Sequence, residues 1–205
     1  QVVEESMHDN DLHLDCVRIA PNPMLGGQSQ RVFRARLNGE NTALVIETTA
    51  PDGYSGAIDL VVAIDDANTV LGARVVDHKE TPGLGDKIEL RISDWILSFA
   101  NTVYKEDTDN RWRVKKDGGQ FDQFTGATIT PRAVVAAIKD AAIFGQNNQQ
   151  MLFERPSNCL LPDAADIIAT SPDTSVQASM RGNGQNLTDS NNNTDSQSEK
   201  GASDE

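Results

Sequence analysis

The sequence predicts an α+β domain, a mostly antiparallel sheet of about five or more strands with helices packed on it. Two observations lead there. β-rich runs come first and are joined by short turns, and apolar patterns of helical period follow them. A third observation sets the limits of the domain. From Pro162 the chain reads PDAADIIATSPDTSVQASMRGNGQNLTDSNNNTDSQSEKGASDE, without an aromatic residue. Polar tracts of this kind bury too little apolar surface to offset the entropy of ordering. Residues 162–205 are therefore expected to be a disordered acidic tail, residues 15–161 the folded domain and residues 1–14 a segment leading into it.

Residues 2–14 are polar with scattered apolar positions and read as the stub of a helix. CVRIA (16–20) is a short strand stopped by PNP. QRVFRARLNGENTALVIET (30–48) contains two β-rich runs around Asn38-Gly39, the strongest short hairpin signal. PDGYSG (51–56) is a loop, and AIDLVVAIDDANTVLGARVVDH (57–78) supplies two more strands around a polar turn at Asp65 to Asn68. KETPGLGDK (79–87) is punctuated by Pro82, Gly83 and Gly85 and reads as a loop. SDWILSFANTV (93–103) is expected to be a helix capped by Ser93 or Asp94. RWRVKK (111–116) reads as a strand turned by DGG. TPRAVVAAIKDAAIFGQ (130–146) is a helix, with Thr130 as N-cap and Pro131 at the first helical position. The sheet is expected to be covered on one face.

Charge and composition exclude several classes of function. The chain carries −13 over 205 residues, but eight acids against two bases fall from Asp163 onward, so the body is only moderately acidic. Without a basic stripe interleaved with aromatics, nucleic acid is not an expected partner. No run approaches the ~18 apolar residues of a membrane-spanning helix. LVVAI (60–64) and AVVAAI (133–138) are core-sized. The chain opens at Gln1, which leaves room for a removed upstream segment: a signal peptide, an anchor helix or nothing of interest. Cys16 and Cys159 sit at the two ends of the folded part. Two buried thiols in a reducing compartment and a bridge in an oxidising one both fit, with the boundary placement leaning toward the bridge.

The chemistry-bearing residues are sparse. His8, His13 and His78 do not combine with carboxylates at metal-ligand spacing, so no metal is expected. There is no nucleophile elbow, and no cysteine with a basic neighbour in a glycine-rich context, so no catalytic residue is assigned. GLGDK lacks the spacing of a phosphate-binding loop, and ETPGLG on its own reads as a structural turn. One stretch stands out: FDQFTGATIT (121–130), with three threonines and no histidine, cysteine or lysine among them to activate a hydroxyl. A tight turn feeding a helix accounts for Gly126, Thr130 and Pro131 but not for Thr128. A side chain there lies just off a helix amino end, where free N–H groups and the dipole favour an anion. Thr128 then reads as an attachment point, which needs no base of its own.

Asp122, Thr125, Gly126, Ala127 and Thr128 form the pattern D-x-x-[ST]-G-A-[ST], which resembles the site where a flavin transferase links FMN through a phosphoester to the last threonine. Together with TTAPDGYSGAIDL (48–60), His78 to Ile96 and VKKDGGQFDQFTGATITPRAVV (114–135), the chain resembles the G subunit of the Rnf electron-transport complex over residues 15 to about 160. The C subunit of the Na⁺-translocating NADH:quinone oxidoreductase is a more distant relative with the same flavin motif. The resemblance implies an FMN-binding domain with covalent FMN on Thr128 and Asp122, Thr125, Gly126 and Ala127 as the attachment motif. It also implies a flavin against the loop Glu80, Thr81, Pro82, Gly83, Leu84 and Gly85, with Leu84 over the ring face and Tyr54 in the same cleft. Lys115 and Lys116 are candidates to balance the phosphate, or a solvated strand end.

It further implies an inner-membrane protein held by one N-terminal helix absent from this chain, residues 1–14 being the remnant beside it, with the domain in the periplasm. That compartment favours the Cys16–Cys159 bridge. The expected function is an electron carrier within an ion-translocating ferredoxin/NAD oxidoreductase, partnered by the other Rnf subunits and by the flavin transferase. The alternatives are a covalent-FMN module feeding a periplasmic reductase and a non-redox domain that has lost its flavin.

Overall fold

The computed structural model describes residues 2–105 and 109–159; the tail expected over 162–205 lies outside them. Six strands form one antiparallel meander in which spatial order equals chain order: β1 (Cys16–Ile19), β2 (Gln30–Leu37), β3 (Glu40–Ala50), β4 (Ile58–Asp65), β5 (Thr69–Asp77) and β6 (Thr102–Val103). The first long hairpin turns at Asn38 and Gly39, whose φ values of 53° and 84° are those a two-residue hairpin loop demands. The β4–β5 turn uses Asn68 at φ 64° in the same way.

Period-two alternation sorts the strand residues between two faces. Leu44, Ile46, Leu60, Val62 and Ile64 join the core shared with α1 (Ile129–Glu154), the one α-helix among the described residues. At 26 residues it is about 39 Å long. It lies so close to the sheet that a methyl added at Gly145 would sit 2.1 Å from Ile64 Cδ1. Ala43, Val45, Phe33 and Ala63 face the other way and are covered too, by Val3, Met7 and Leu12. Coverage of one face was the expectation from sequence. The N-terminal segment changes that because it is no helix stub. After a 3-10 turn at Glu5–Met7 it runs across the sheet, with Asp9 N–H donating to Arg36 O (2.8 Å) and the Thr42 hydroxyl donating to Met7 O (2.6 Å).

Two other elements differ from expectation. The stretch from Ser93 makes only a 3-10 turn, Asp94–Phe99, capped by the Ser93 hydroxyl. Ile96 and Phe99, three residues apart, are buried while Leu97 is exposed. Asn101 then turns left-handed (φ 60°) and donates to Val70 O, steering the chain into β6. RWRVKK is not a ladder strand. Val114 makes an isolated bridge with Phe121, and Lys115–Asp117 is a 3-10 turn. The chain doubles back so tightly that a methyl at Gly119 would lie 1.9 Å from Arg113 O.

The carboxyl end of α1 is tied to β2. A helix leaves its last carbonyls unpaired and gathers negative charge there. Arg34, almost wholly buried, donates to Leu152 O (3.0 Å), Phe153 O (3.3 Å) and Arg155 O, and to the Ser157 hydroxyl (2.7 Å). Asp15 balances it through ion pairs with Arg34 and Arg36. Just beyond, Cys16 and Cys159 are joined in a disulfide with Cα atoms 5.7 Å apart.

Burial alone would raise the Asp15 carboxyl, but the hydrogen bond from Arg36 and the charge and hydrogen bond of Arg34 outweigh it and hold it below its ordinary 3.8. A depressed carboxylate stabilises the fold above its unfolded pKa, and that contribution is lost as pH falls through the folded value. Thermal melts are therefore expected to decline from about pH 4 downward. Asp15→Asn should lower the neutral-pH melt and flatten the acid decline. Arg34→Ala, which leaves the last helix carbonyls without their donor and Asp15 with Arg36 alone as its cation, should cost about 3–5 kcal/mol in urea unfolding.

Candidate functional site

Two turns of one kind meet at the amino end of α1. Thr81-Pro82-Gly83-Leu84 closes with Leu84 N–H donating to Thr81 O at 3.1 Å, and Gly83 has φ 77°. Phe124-Thr125-Gly126-Ala127 closes with Ala127 N–H donating to Phe124 O at 3.1 Å, and Gly126 has φ 80°. Both are type II turns, which need glycine at the third position and accept proline at the second. Leu84, 43% exposed, is presented beside the second turn. A methyl on Gly126 would lie 3.7 Å from Leu84 Cδ2, so the turns are neighbours in space.

Aromatic packing anchors the second turn from below. Phe121 stacks on Phe99 with centroids 4.2 Å apart, and Phe124 meets Trp95 edge-on at 5.2 Å. The Trp95 indole N–H donates to Asp122 O at 2.8 Å. Asp122 itself is exposed and pairs with Lys115 at 2.6 Å. Lys116 N–H donates to the Gln123 side chain at 3.1 Å. Asp117 receives both Nε and Nη2 of Arg132 at 2.6 Å. That hydrogen bond outweighs the small burial that would raise the Asp117 carboxyl and holds it below its ordinary value.

Glu80 joins three segments. It is 5% exposed; its Oε2 accepts from the Thr130 hydroxyl at 2.5 Å and its Oε1 from Ser55 N–H at 2.9 Å. Its own N–H donates to His78 Nδ1 (2.9 Å), and His78 Nε2 lies 2.6 Å from Glu89 Oε1. Glu89 is held below its ordinary pKa by Arg91 first and by His78 as well. The loop Gly53–Gly56 is thereby fastened to the site, and its Tyr54 stands 68% exposed.

Here the structure corrects the sequence reading of the helix start. Thr130 is not the N-cap: it lies inside the first turn, fully buried, its hydroxyl spent on Glu80. Pro131 is accordingly the third helical residue rather than the first. Thr128 is the N-cap, partly exposed and already in helical conformation, and its hydroxyl caps no backbone amide. The structure thus brings together Thr125 to Thr128, Glu80 to Gly85 and the Tyr54 loop, with Asp122 and Lys115 paired on the flank. Sequence reasoning missed His78, Glu89, Trp95 and Arg132, whose roles depend on partners distant in the chain or on a loop whose path no local pattern reports.

Among the described residues no group of histidine, cysteine, aspartate or glutamate is placed to hold a metal. The class of protein is set by residues 53–143, which contain every part of this site and match the FMN-binding domain family. The chain belongs to the G-subunit family of ion-translocating oxidoreductase complexes. It is 54% identical over 160 residues to the G subunit of that complex from Pseudoalteromonas atlantica, covering 78% of this chain and 74% of the relative. It is 50% identical over 159 residues to that of Vibrio atlanticus (78% and 76%) and 54% over 157 residues to that of Cronobacter sakazakii (77% and 75%).

A methyl on Gly85 would lie 2.6 Å from Glu80 Oε2 and 3.0 Å from Thr130 Oγ1. Gly85→Ala is therefore expected to wedge the Glu80–Thr130 contact and cost about 1–3 kcal/mol. Glu80→Ala, which leaves the Thr130 hydroxyl and Ser55 N–H without their acceptor, should cost about as much for each group. Chemical unfolding of both variants measures this; a cost below about 0.5 kcal/mol for Glu80→Ala would show the clasp to be dispensable.

Proposed function

We propose that this chain carries FMN as a phosphoester on Thr128 and relays electrons within an ion-translocating ferredoxin/NAD oxidoreductase of the inner membrane, its domain facing the periplasm. The observation that carries the reading is the division of labour between two threonines. Thr130 is buried and bound to Glu80, while Thr128, one residue ahead of the helix, keeps an uncommitted hydroxyl beside free N–H groups.

The surroundings fit FMN. Leu84, Ile129 and Tyr54 offer exposed apolar and aromatic surface around an exposed glycine turn, the pattern expected where a planar ring is covered from one side. Thr125, Gly126 and Ala127 set the position of Thr128. Glu80, Thr81, Pro82, Gly83 and Gly85 hold Leu84 in place, and Lys115 keeps Asp122 oriented. A bound flavin supplies the chemistry, accepting and passing one or two electrons. This chain's residues hold it and fix its surroundings, and a tether keeps the cofactor at the site however scarce free flavin is.

The Cys16–Cys159 disulfide supports an oxidising compartment. Among the described residues no helix is long and apolar enough to cross a membrane, so the single anchor implied by the resemblance would lie outside them. The partners in this reading are the other members of the complex and the flavin transferase that loads the site.

The test is export of wild type and Thr128→Ala alongside the transferase, with flavin fluorescence read on denaturing gels. Flavin that survives denaturation in wild type and is lost in Thr128→Ala is the expected result. Equal fluorescence in both would remove Thr128 from the function.

A further inference from the structure

On a helix, side chains lean toward the amino end, so the residue four places on covers the one before it. Arg132 stands in that relation to Thr128, about 5–6 Å away between Cβ atoms. Asp117 grips Arg132 side-on, through Nε and Nη2. Such a grip leaves the Nη1 protons and one Nη2 proton undirected, and fixes the plane in which they point. A cavity of about 470 Å³ opens alongside, lined among others by Trp112, Arg113, Val114, Asp117, Arg132 and Lys139, within the range of small-ligand sites. Arg113 is exposed and forms no ion pair among the described residues. Trp112 is almost fully buried, and its indole N–H finds no acceptor among them. The cavity wall is thus cationic at the rim, with an unused donor behind it.

We propose that Arg132, oriented by Asp117 and joined by Arg113, is the cation pair that receives the phosphate of the flavin carried on Thr128. The inference rests on the Thr128 reading and assigns to these arginines the charge balance that the sequence suggests for Lys115 and Lys116. Lys115 is engaged by Asp122, whereas the arginine fork is both free on one side and shaped to meet two phosphate oxygens. Asp117 is a positioning residue: it touches no ligand and acts through Arg132. The remaining charges on this wall are Lys139, whose ammonium lies over the Tyr104 ring, and Asp140. They sit about two turns beyond Arg132 along the helix, so of the helix cations on this wall Arg132 is the one a single turn from Thr128.

The full chain is exported alongside the flavin transferase, and loading is followed as intact mass against time. Arg132→Ala should slow loading about tenfold, the loss expected for a charge-assisted contact. Arg132→Lys should recover part of the rate, because a point charge replaces a fork, and Asp117→Asn should fall between. Arg155→Ala, about 35 Å away at the other end of α1, should load as wild type does. The bare variants should melt within about a degree of wild type, since an exposed ion pair adds little stability. On loaded protein the phosphorus resonance should move in Arg132→Ala. Unchanged loading and an unmoved resonance in the Arg113→Ala/Arg132→Ala double variant would overturn the inference and leave the Thr128 reading intact. A wild type that accepts no flavin would overturn both.

Discussion

The hydrogen bond from the Thr130 hydroxyl to Glu80 is the contact on which the site depends. It joins residues fifty positions apart and is buried, where a carboxylate oxygen left without a donor costs several times what an exposed one does. Through Ser55 N–H the same carboxylate fixes the Tyr54 loop, and the backbone N–H of Glu80 fixes His78. Gly85 has no side chain because the clasp occupies the space one would fill. By taking Thr130, the clasp also settles which threonine remains available at the helix start.

The other end of α1 is held with equal care and a different chemistry. There Arg34 brings positive charge to the helix carbonyls, Asp15 balances it, and the disulfide closes the chain a few residues later. A long helix pinned at its carboxyl end to β2 and at its amino end to the Glu80 loop acts as a rigid strut. Whatever Thr128 carries is therefore placed relative to the sheet rather than to a mobile loop. In the relay role proposed above this matters, because such a domain contributes mainly position and local charge.

Much of the sheet was legible from local pattern. Asn38-Gly39 and Asp65–Asn68 announced their turns, and the β-rich runs on either side of them gave β2 to β5. The site motif was legible as well, since Gly126 and the threonines are contiguous. What stayed hidden came from contacts between distant residues. Thr130 followed by Pro131 looks like a cap and first turn; only Glu80, on another loop, makes it an interior residue. Ile96 and Phe99 fit a helix as well as a 3-10 turn until Asn101 turns the chain into β6. The strand-like RWRVKK has buried alternation but no neighbour long enough to pair with. Val3 and Leu12 gave no sign that the N-terminal segment would cover the second sheet face, because a sparse apolar pattern does not say against what it packs.

The central claim is that of three threonines within six residues, Thr128 alone carries the flavin. Peptide mapping by tandem mass spectrometry of the exported, flavinylated chain tests it most directly. The account predicts a riboflavin-phosphate mass on Thr128, with Thr125 and Thr130 unmodified. Modification of Thr125 or Thr130, or a peptide bare at all three positions in cells that flavinylate another acceptor, would contradict it.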